Sequence, residues 1–148
     1  SGRDLANSAL AMARFEGEIA RDMDEYNQRP RVKRLGTRTE EYRFAQYVED
    51  WRLKVERVGT LNYPEAAKGK LFGSLMLSVT IASDGNVAKV EIDRSSGHRA
   101  LDDAARRIVQ MASPYAAFPA EIKRDYDQLV IVRTITFTSS NQLESKSR

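Results

Sequence analysis

The side chains best spaced to do chemistry are Ser95, Ser96 and His98, with Asp102 and Asp103 a few positions on. Hydroxyl, imidazole and carboxylate are the parts of a nucleophilic triad, in which the ring takes the hydroxyl proton and the carboxylate orients the ring. Neighbouring positions at a strand-to-helix turn do not by spacing bring a hydroxyl against an imidazole, and the glycine-flanked elbow that exposes a nucleophilic serine is missing. The expectation is a turn, with Ser95 or Ser96 accepting backbone N–H bonds as a helix cap and His98 exposed. Glu40 with Glu41, and Asp102 with Asp103, are adjacent and point to different sides of a helix, poor geometry for a paired acid and base. Gly69 and Gly73 make neither a Walker nor a dinucleotide glycine pattern. With His98 the single histidine and no cysteine, disulfides, thiol nucleophiles, thiolate metal sites and multi-histidine metal sites fall away. No catalytic, metal or cofactor-binding residue is expected, and the chain reads as a non-enzyme.

The 148 residues are 41% hydrophobic and 30% charged, which suits one globular domain with an appendage. No apolar run approaches the roughly 18 residues of a membrane span, and the start lacks the order of a signal peptide. Ser1 and Gly2 resemble a protease-cleavage scar, so an excised piece of a longer protein is expected. The net charge of +3 is uneven: residues 1–28 have an acidic excess and residues 29–58 a basic one. The run Arg29, Arg31, Lys33, Arg34 lacks aromatic residues for base stacking, so it reads as a solvated connector or a partner for the acidic helix, and no nucleic acid partner is expected.

These residues need elements to hold them. Leu5, Met12, Ile19 and Tyr26 recur every seven positions, with Ala9, Phe15 and Met23 on neighbouring turns, which predicts an amphipathic helix with an acidic opposite face. Its thin stripe suits a helix laid on its own domain or one paired with another chain, so a homodimer stays open. Residues 28–36 contain Pro30 and no apolar periodicity, and read as a linker. Thr37 and Glu40 form a capping box that starts a second helix near Arg38. Phe44, Val48, Trp51, Val55 and Val58 make its stripe, Trp51 is expected as a core anchor, and Gly59 suits the left-handed residue that ends a helix. Pro64 opens a short helix.

Residues 74–82 alternate, with Leu75, Leu77, Val79 and Ile81 on one face, and predict a half-buried strand. Ser83, Asp84, Gly85 and Asn86 form a hairpin turn into a second strand carrying Ala88, Val90 and Ile92. Leu101, Ala104, Ala105, Ile108 and Met111 form the stripe of a helix from about Ala100, ended by Ser113 and Pro114. Residues 115–127 read as an irregular crossing, and residues 129–138 as a closing strand. The expected fold is α+β: a small antiparallel sheet of about three strands with helices packed on one side, preceded by two extra N-terminal helices. The chain divides into residues 1–36, a helix and basic linker; 37–140, the domain with its extra leading helix; and 141–148, a disordered tail. With no later element to pair its outer side, the closing strand is expected to offer an edge that takes an extended peptide as an added strand. The alternative is a strand paired within the domain or a dimer.

Read in order, Tyr63, Pro64, Glu65, Ala66, Ala67, Gly73, the strand into Ser83, Asp84, Gly85, Asn86 and Val87, then Ser95, Ser96, Gly97, Leu101, Asp102, Ala104, Ala105, Pro114, Tyr115, Phe118 and Pro119 resemble the C-terminal domain of TonB-type energy transducers over about residues 60–138. The resemblance implies a periplasmic domain of an inner-membrane-anchored protein whose anchor and proline-rich spacer lie outside this chain, energised by the ExbB and ExbD motor. It implies capture of the TonB box, a short peptide of TonB-dependent outer-membrane transporters, by strand addition along Leu129, Val130, Ile131, Val132, Arg133, Thr134, Ile135, Thr136 and Phe137, with Tyr63 and Pro64 near the transporter. Siderophore uptake is the associated transport. Residues 1–60 lie outside the family's usual short domain, and Glu65 and Ala66 stand where a basic residue often follows the Tyr-Pro pair. A TolA-like envelope scaffold acting through its N-terminal helices is the competing expectation.

Overall fold

A computed structural model describes residues 2–36 and 42–147. The chain splits into two compact units, residues 1–30 and 31–148. The first is one helix, α1 (Gly2–Gln28). Leu5, Met12, Phe15, Ile19 and Met23 of its predicted stripe are all exposed, as is Leu10. The Tyr26 side chain lies outside the described ones. Among the described residues, no helix is long and apolar enough to cross a membrane.

The second unit is α+β. Its elements run β1 (Val32–Leu35), α2 (Tyr42–Leu61), a 3-10 turn (Glu65–Ala67), β2 (Gly73–Ala82), β3 (Val87–Arg94), α3 (Arg99–Met111), α4 (Ala120–Lys123), β4 (Gln128–Phe137) and β5 (Leu143–Lys146). One sheet holds all five strands in the order β1-β4-β2-β3, with β5 also on β4. The β2–β3 hairpin, its turn and the return to β4 through α3 follow the sequence expectation. Gly85 supplies the turn's positive φ of 91°, and the Asp84 carboxylate accepts the Asn86 N–H at 3.0 Å.

Strand alternation puts Leu75, Leu77, Val79 and Ile81 of β2 beside Ile135, Arg133, Ile131 and Leu129 of β4 on one face. The four β2 side chains are fully buried, each worth roughly 1.5–3 kcal/mol of removal from water. Phe44, Trp51 and Val55 of α2 and Leu101, Ala105 and Ile108 of α3 join the same core, so Trp51 is the expected anchor. Met111, predicted in the α3 stripe, is exposed, and Val109 and Ala112 are buried.

Three segments differ from the sequence reading. The supposed linker contains β1, paired parallel to β4 at residues 128–131; only Leu35 of it is buried, and Lys33 holds its ammonium over the Phe44 ring, 5.9 Å from the centroid. The supposed disordered tail contains β5, antiparallel to β4 at residues 134–137. Gly59 does not end a helix, for α2 continues through Leu61. The predicted capping box of Thr37 and Glu40 lies outside the described residues. The crossing at 115–127 is irregular apart from the single turn of α4.

Candidate functional site

The closing strand, expected at an open edge, is interior to the sheet. On one side β4 pairs with β2 through all its residues, from Gln128 against Ala82 to Phe137 against Gly73. Its other side is shared: Gln128, Leu129, Val130 and Ile131 are paired with β1, and Thr134, Ile135, Thr136 and Phe137 with β5. Val132 and Arg133 fall in the gap between them.

The cover over 134–137 exists because the chain turns back after β4. Thr138 donates its N–H to Gln142 O at 2.9 Å, and Asn141 donates to Thr138 O at 3.1 Å. Asn141 takes the left-handed conformation, φ 62°, as asparagine tolerates, and its side-chain oxygen accepts the Gly69 N–H at 3.0 Å. A short hairpin of polar residues thus returns four residues to the β4 edge.

β5 lies in a slot, with β4 on one side and α2 on the other. Leu143 and Ser145 point inward and are 2% and 3% exposed. Their amides face away from β4: Leu143 N–H donates to Thr60 Oγ1 at 3.3 Å and Ser145 N–H to Glu56 Oε1 at 2.8 Å. A backbone edge that would otherwise need water is satisfied by two side chains one helical turn apart. The other Glu56 oxygen accepts from Arg52 Nη1 at 2.8 Å, and Arg52 also pairs with Glu49. The Glu49 bond raises the Arg52 pKa and outweighs the opposing effect of burial. Gly59 explains how the helix approaches so closely, since a Cβ there would lie 2.7 Å from Leu143 Cδ1 and 3.0 Å from its Cβ. Beyond β5, Leu53, Arg57 and Leu61 continue the slot as an open groove of about 690 Å³.

Arg133, in the gap, is 9% exposed and projects to the helix-covered face. Burial lowers its pKa, Arg52 adds to this, and Glu49 and Glu56 oppose it. The arrangement therefore offers a backbone edge, two side-chain acceptors, a shaped apolar seat and a buried cation. A segment of the chain itself, β5, occupies the seat.

The other predicted positions fall elsewhere. The Tyr63 side chain is buried, its hydroxyl donating to Thr138 O at 3.2 Å and its ring edge-on to Phe137 at 5.6 Å. It anchors the end of β4 from inside, and Pro64 beside it is half-buried. Ser95 and Ser96 direct their hydroxyls to the Asp102 carboxylate. They also accept the Gly97 and His98 N–H groups, so they brace the loop while His98 itself occupies the cap position of α3. His98 is exposed, and no hydroxyl–imidazole pair forms among the described residues. Burial raises the Asp102 pKa, but the bonds from Ser95 and Ser96 outweigh it and the net shift is downward. Asp103 pairs with Arg99 and Arg106. The basic run is divided: Arg31 forms an ion pair with Asp127 at 3.1 Å and Lys33 sits over Phe44. Among the described residues, no group of three or more His, Cys, Asp or Glu is arranged to hold a metal ion.

Sequence reasoning missed Glu56, Gly59, Thr60, Leu143 and Ser145. The available signals were the turn-forming Ser139, Ser140 and Asn141, the two-residue alternation of Leu143 and Ser145, and a glycine two residues inside a helix end.

The family described as Gram-negative bacterial TonB protein C-terminal matches residues 60–138, just over half of the chain. No curated protein and no solved structure gives a significant match to the chain. Most of α2, and all of β1 and β5, lie outside the matched segment.

Proposed function

The chain belongs to the family of Gram-negative bacterial TonB protein C-terminal domains, which are periplasmic domains of TonB-dependent transport, and from that premise we propose that it is a force-transmitting adaptor that exchanges β5 for a receptor peptide. The peptide is the TonB box of a TonB-dependent outer-membrane transporter, siderophore receptors among them. It adds to the outer edge of β4 at residues 132–137, the stretch from the gap through the β5 pairing. Residues 129–131 stay with β1. Pull from an inner-membrane ExbB and ExbD motor, delivered through an N-terminal anchor, passes along β4 to the transporter. Tyr63 acts from beneath, holding the end of β4 in place, while Pro64 lies toward the receptor.

One observation carries this reading: past the gap at Val132 and Arg133, the β4 edge is covered from residue 134 by a strand of only four residues. A strand held by so few pairs opens at lower cost than the sheet as a whole, and an exposed β edge is an established mode of peptide capture. Titration of the isotope-labelled chain with TonB-box peptides is the direct test. Saturable amide shifts are expected along residues 132–137, together with loss of the β5 signature at Glu144 and Lys146. Saturable binding that leaves both sets of amides unmoved would place the interface elsewhere, and no binding at millimolar peptide would remove the adaptor role from this edge.

A second reading, assembly of an envelope scaffold of the TolA kind or of a homodimer, is favoured by α1, where six large apolar side chains among the described ones are exposed. Deleting residues 1–30 and measuring mass by sedimentation separates the two. Loss of self-association with peptide binding intact assigns assembly to the helix and transport to the sheet.

A further inference from the structure

We propose that the slot between β4 and α2 selects its extended peptide by an aliphatic residue followed two positions later by a small one, with a backbone N–H required at both. This rests on the strand-exchange reading and adds a sequence requirement read by α2, a helix whose residues 42–59 lie outside the segment matched by the family.

The occupied slot supplies the template. In an added strand every second side chain faces inward, and the two inward positions of β5 are shaped differently. At the first, Leu143 fills space that exists only because residue 59 has no side chain: a Cβ there would meet its Cδ1 at 2.7 Å and its Cβ at 3.0 Å. A branched aliphatic chain fits this seat, and a smaller one leaves it underfilled. At the second, Ser145 is 3% exposed and its hydroxyl has no hydrogen-bond partner among the described residues. The seat has room for a small side chain and makes no use of its oxygen, so alanine suits it better than serine. Glu144 and Lys146, between and after, face outward and leave their positions unrestricted.

The backbone is read separately. Thr60 Oγ1 and Glu56 Oε1 accept the amides of the same two inward residues. Proline at either position removes a donor and leaves an acceptor unmatched.

The test uses the full chain carrying Leu143→Ala, which loosens the resident strand, and fluorescently labelled peptides of the sequence Asn-Gln-Leu-Glu-Ala-Lys-Ser. Exchanging the two inward residues, giving Asn-Gln-Ala-Glu-Leu-Lys-Ser, is expected to weaken binding by about tenfold or more, from one unfilled and one overfilled seat. Serine for the inward alanine is expected to weaken it severalfold, and N-methylation of either inward amide about tenfold. Adding Gly59→Ala should penalise the leucine peptide more than a valine one, whereas Glu56→Ala should weaken alike all peptides that keep the second inward N–H. Amide spectra verify that each variant is folded, and the peptide exchange itself needs no change to the slot. Equal affinity for the exchanged peptides, with β4 amides still responding, overturns the selectivity and leaves strand exchange standing. Failure of every peptide to bind the loosened chain overturns both.

Discussion

Leu143→Ala in the full chain should raise the affinity for an added peptide, although it removes a core side chain. Leu143 is 2% exposed and seated against Gly59. Truncating a buried leucine to alanine costs about 2–3 kcal/mol where one wall is open to an adjoining groove. That cost falls on the closed state, because β5 is solvated once it leaves the slot. At about 1.4 kcal/mol per factor of ten, the open population rises roughly 30- to 140-fold. When the competent form is a minor one, apparent affinity scales with its population, so the peptide should bind tighter by the same factor until the open form dominates. Anisotropy with a labelled TonB-box peptide measures the affinity, and hydrogen exchange at Glu144 and Lys146 measures the opening. Faster exchange at those amides with unchanged or weaker peptide affinity would refute the idea that β5 and the peptide compete for one edge.

Other substitutions test the frame that holds the edge. Gly85→Ala must place a Cβ 2.0 Å from Tyr115 O at a φ of +91°, so a loss of about 2–3 kcal/mol in urea unfolding is expected; a loss below about 0.5 kcal/mol would mean the hairpin and the 115–118 crossing part freely. Tyr63→Phe deletes the hydroxyl bonded to Thr138 O and should cost about 1 kcal/mol with peptide contacts unchanged, if Tyr63 acts only from beneath. Asp102→Ala should cost about 1 kcal/mol at neutral pH. Because the folded Asp102 pKa is depressed, that contribution is present above the ordinary aspartate value and is lost as pH falls through the depressed one. The gap between variant and parent in denaturant midpoint should therefore close in acid; a gap that persists there would assign the effect to packing.

The parts of this fold legible in the sequence are those where one physical signal dominates. Strict alternation at Leu75, Leu77, Val79 and Ile81 gave β2, and a turn that needs Gly85 gave the hairpin; α3 follows from its stripe, with Met111 the one misplaced member. β1 and β5 escape because they draw little on side-chain burial. Val32 and Arg34 are exposed, and β5 buries one leucine and one serine, so each strand is held chiefly by backbone bonds to a partner nearly a hundred or about ten residues away. Gly59 was misread for a related reason. Its sequence context allows a helix end, and only the tertiary neighbour Leu143 shows that the missing side chain makes room. The closing strand was identified correctly as a strand, but whether its edge is covered depends on those two weakly patterned segments.

The covered edge also bears on how load is borne. On the strand-exchange reading, tension along an added strand is carried in shear by the bonds to β4, while β4 is held on its other side by the full β2 register from Gly73 to Ala82 and by buried side chains at Leu129, Ile131, Ile135 and Phe137. The peptide has fewer pairs, about six along residues 132–137 where β5 now makes four, plus the two acceptors on α2. Bonds loaded together fail first where fewest share the load, so the weak point is the slot and not the sheet. The acceptors Glu56 and Thr60 then set how late that failure comes, because they grip the peptide backbone from the side opposite β4. In single-molecule pulling of a tethered peptide from the full chain, rupture is expected below the force that unfolds residues 31–148, and Glu56→Ala should lower the rupture force while leaving the unfolding force in place. Unfolding of the domain before peptide release would refute this division of strength between slot and sheet.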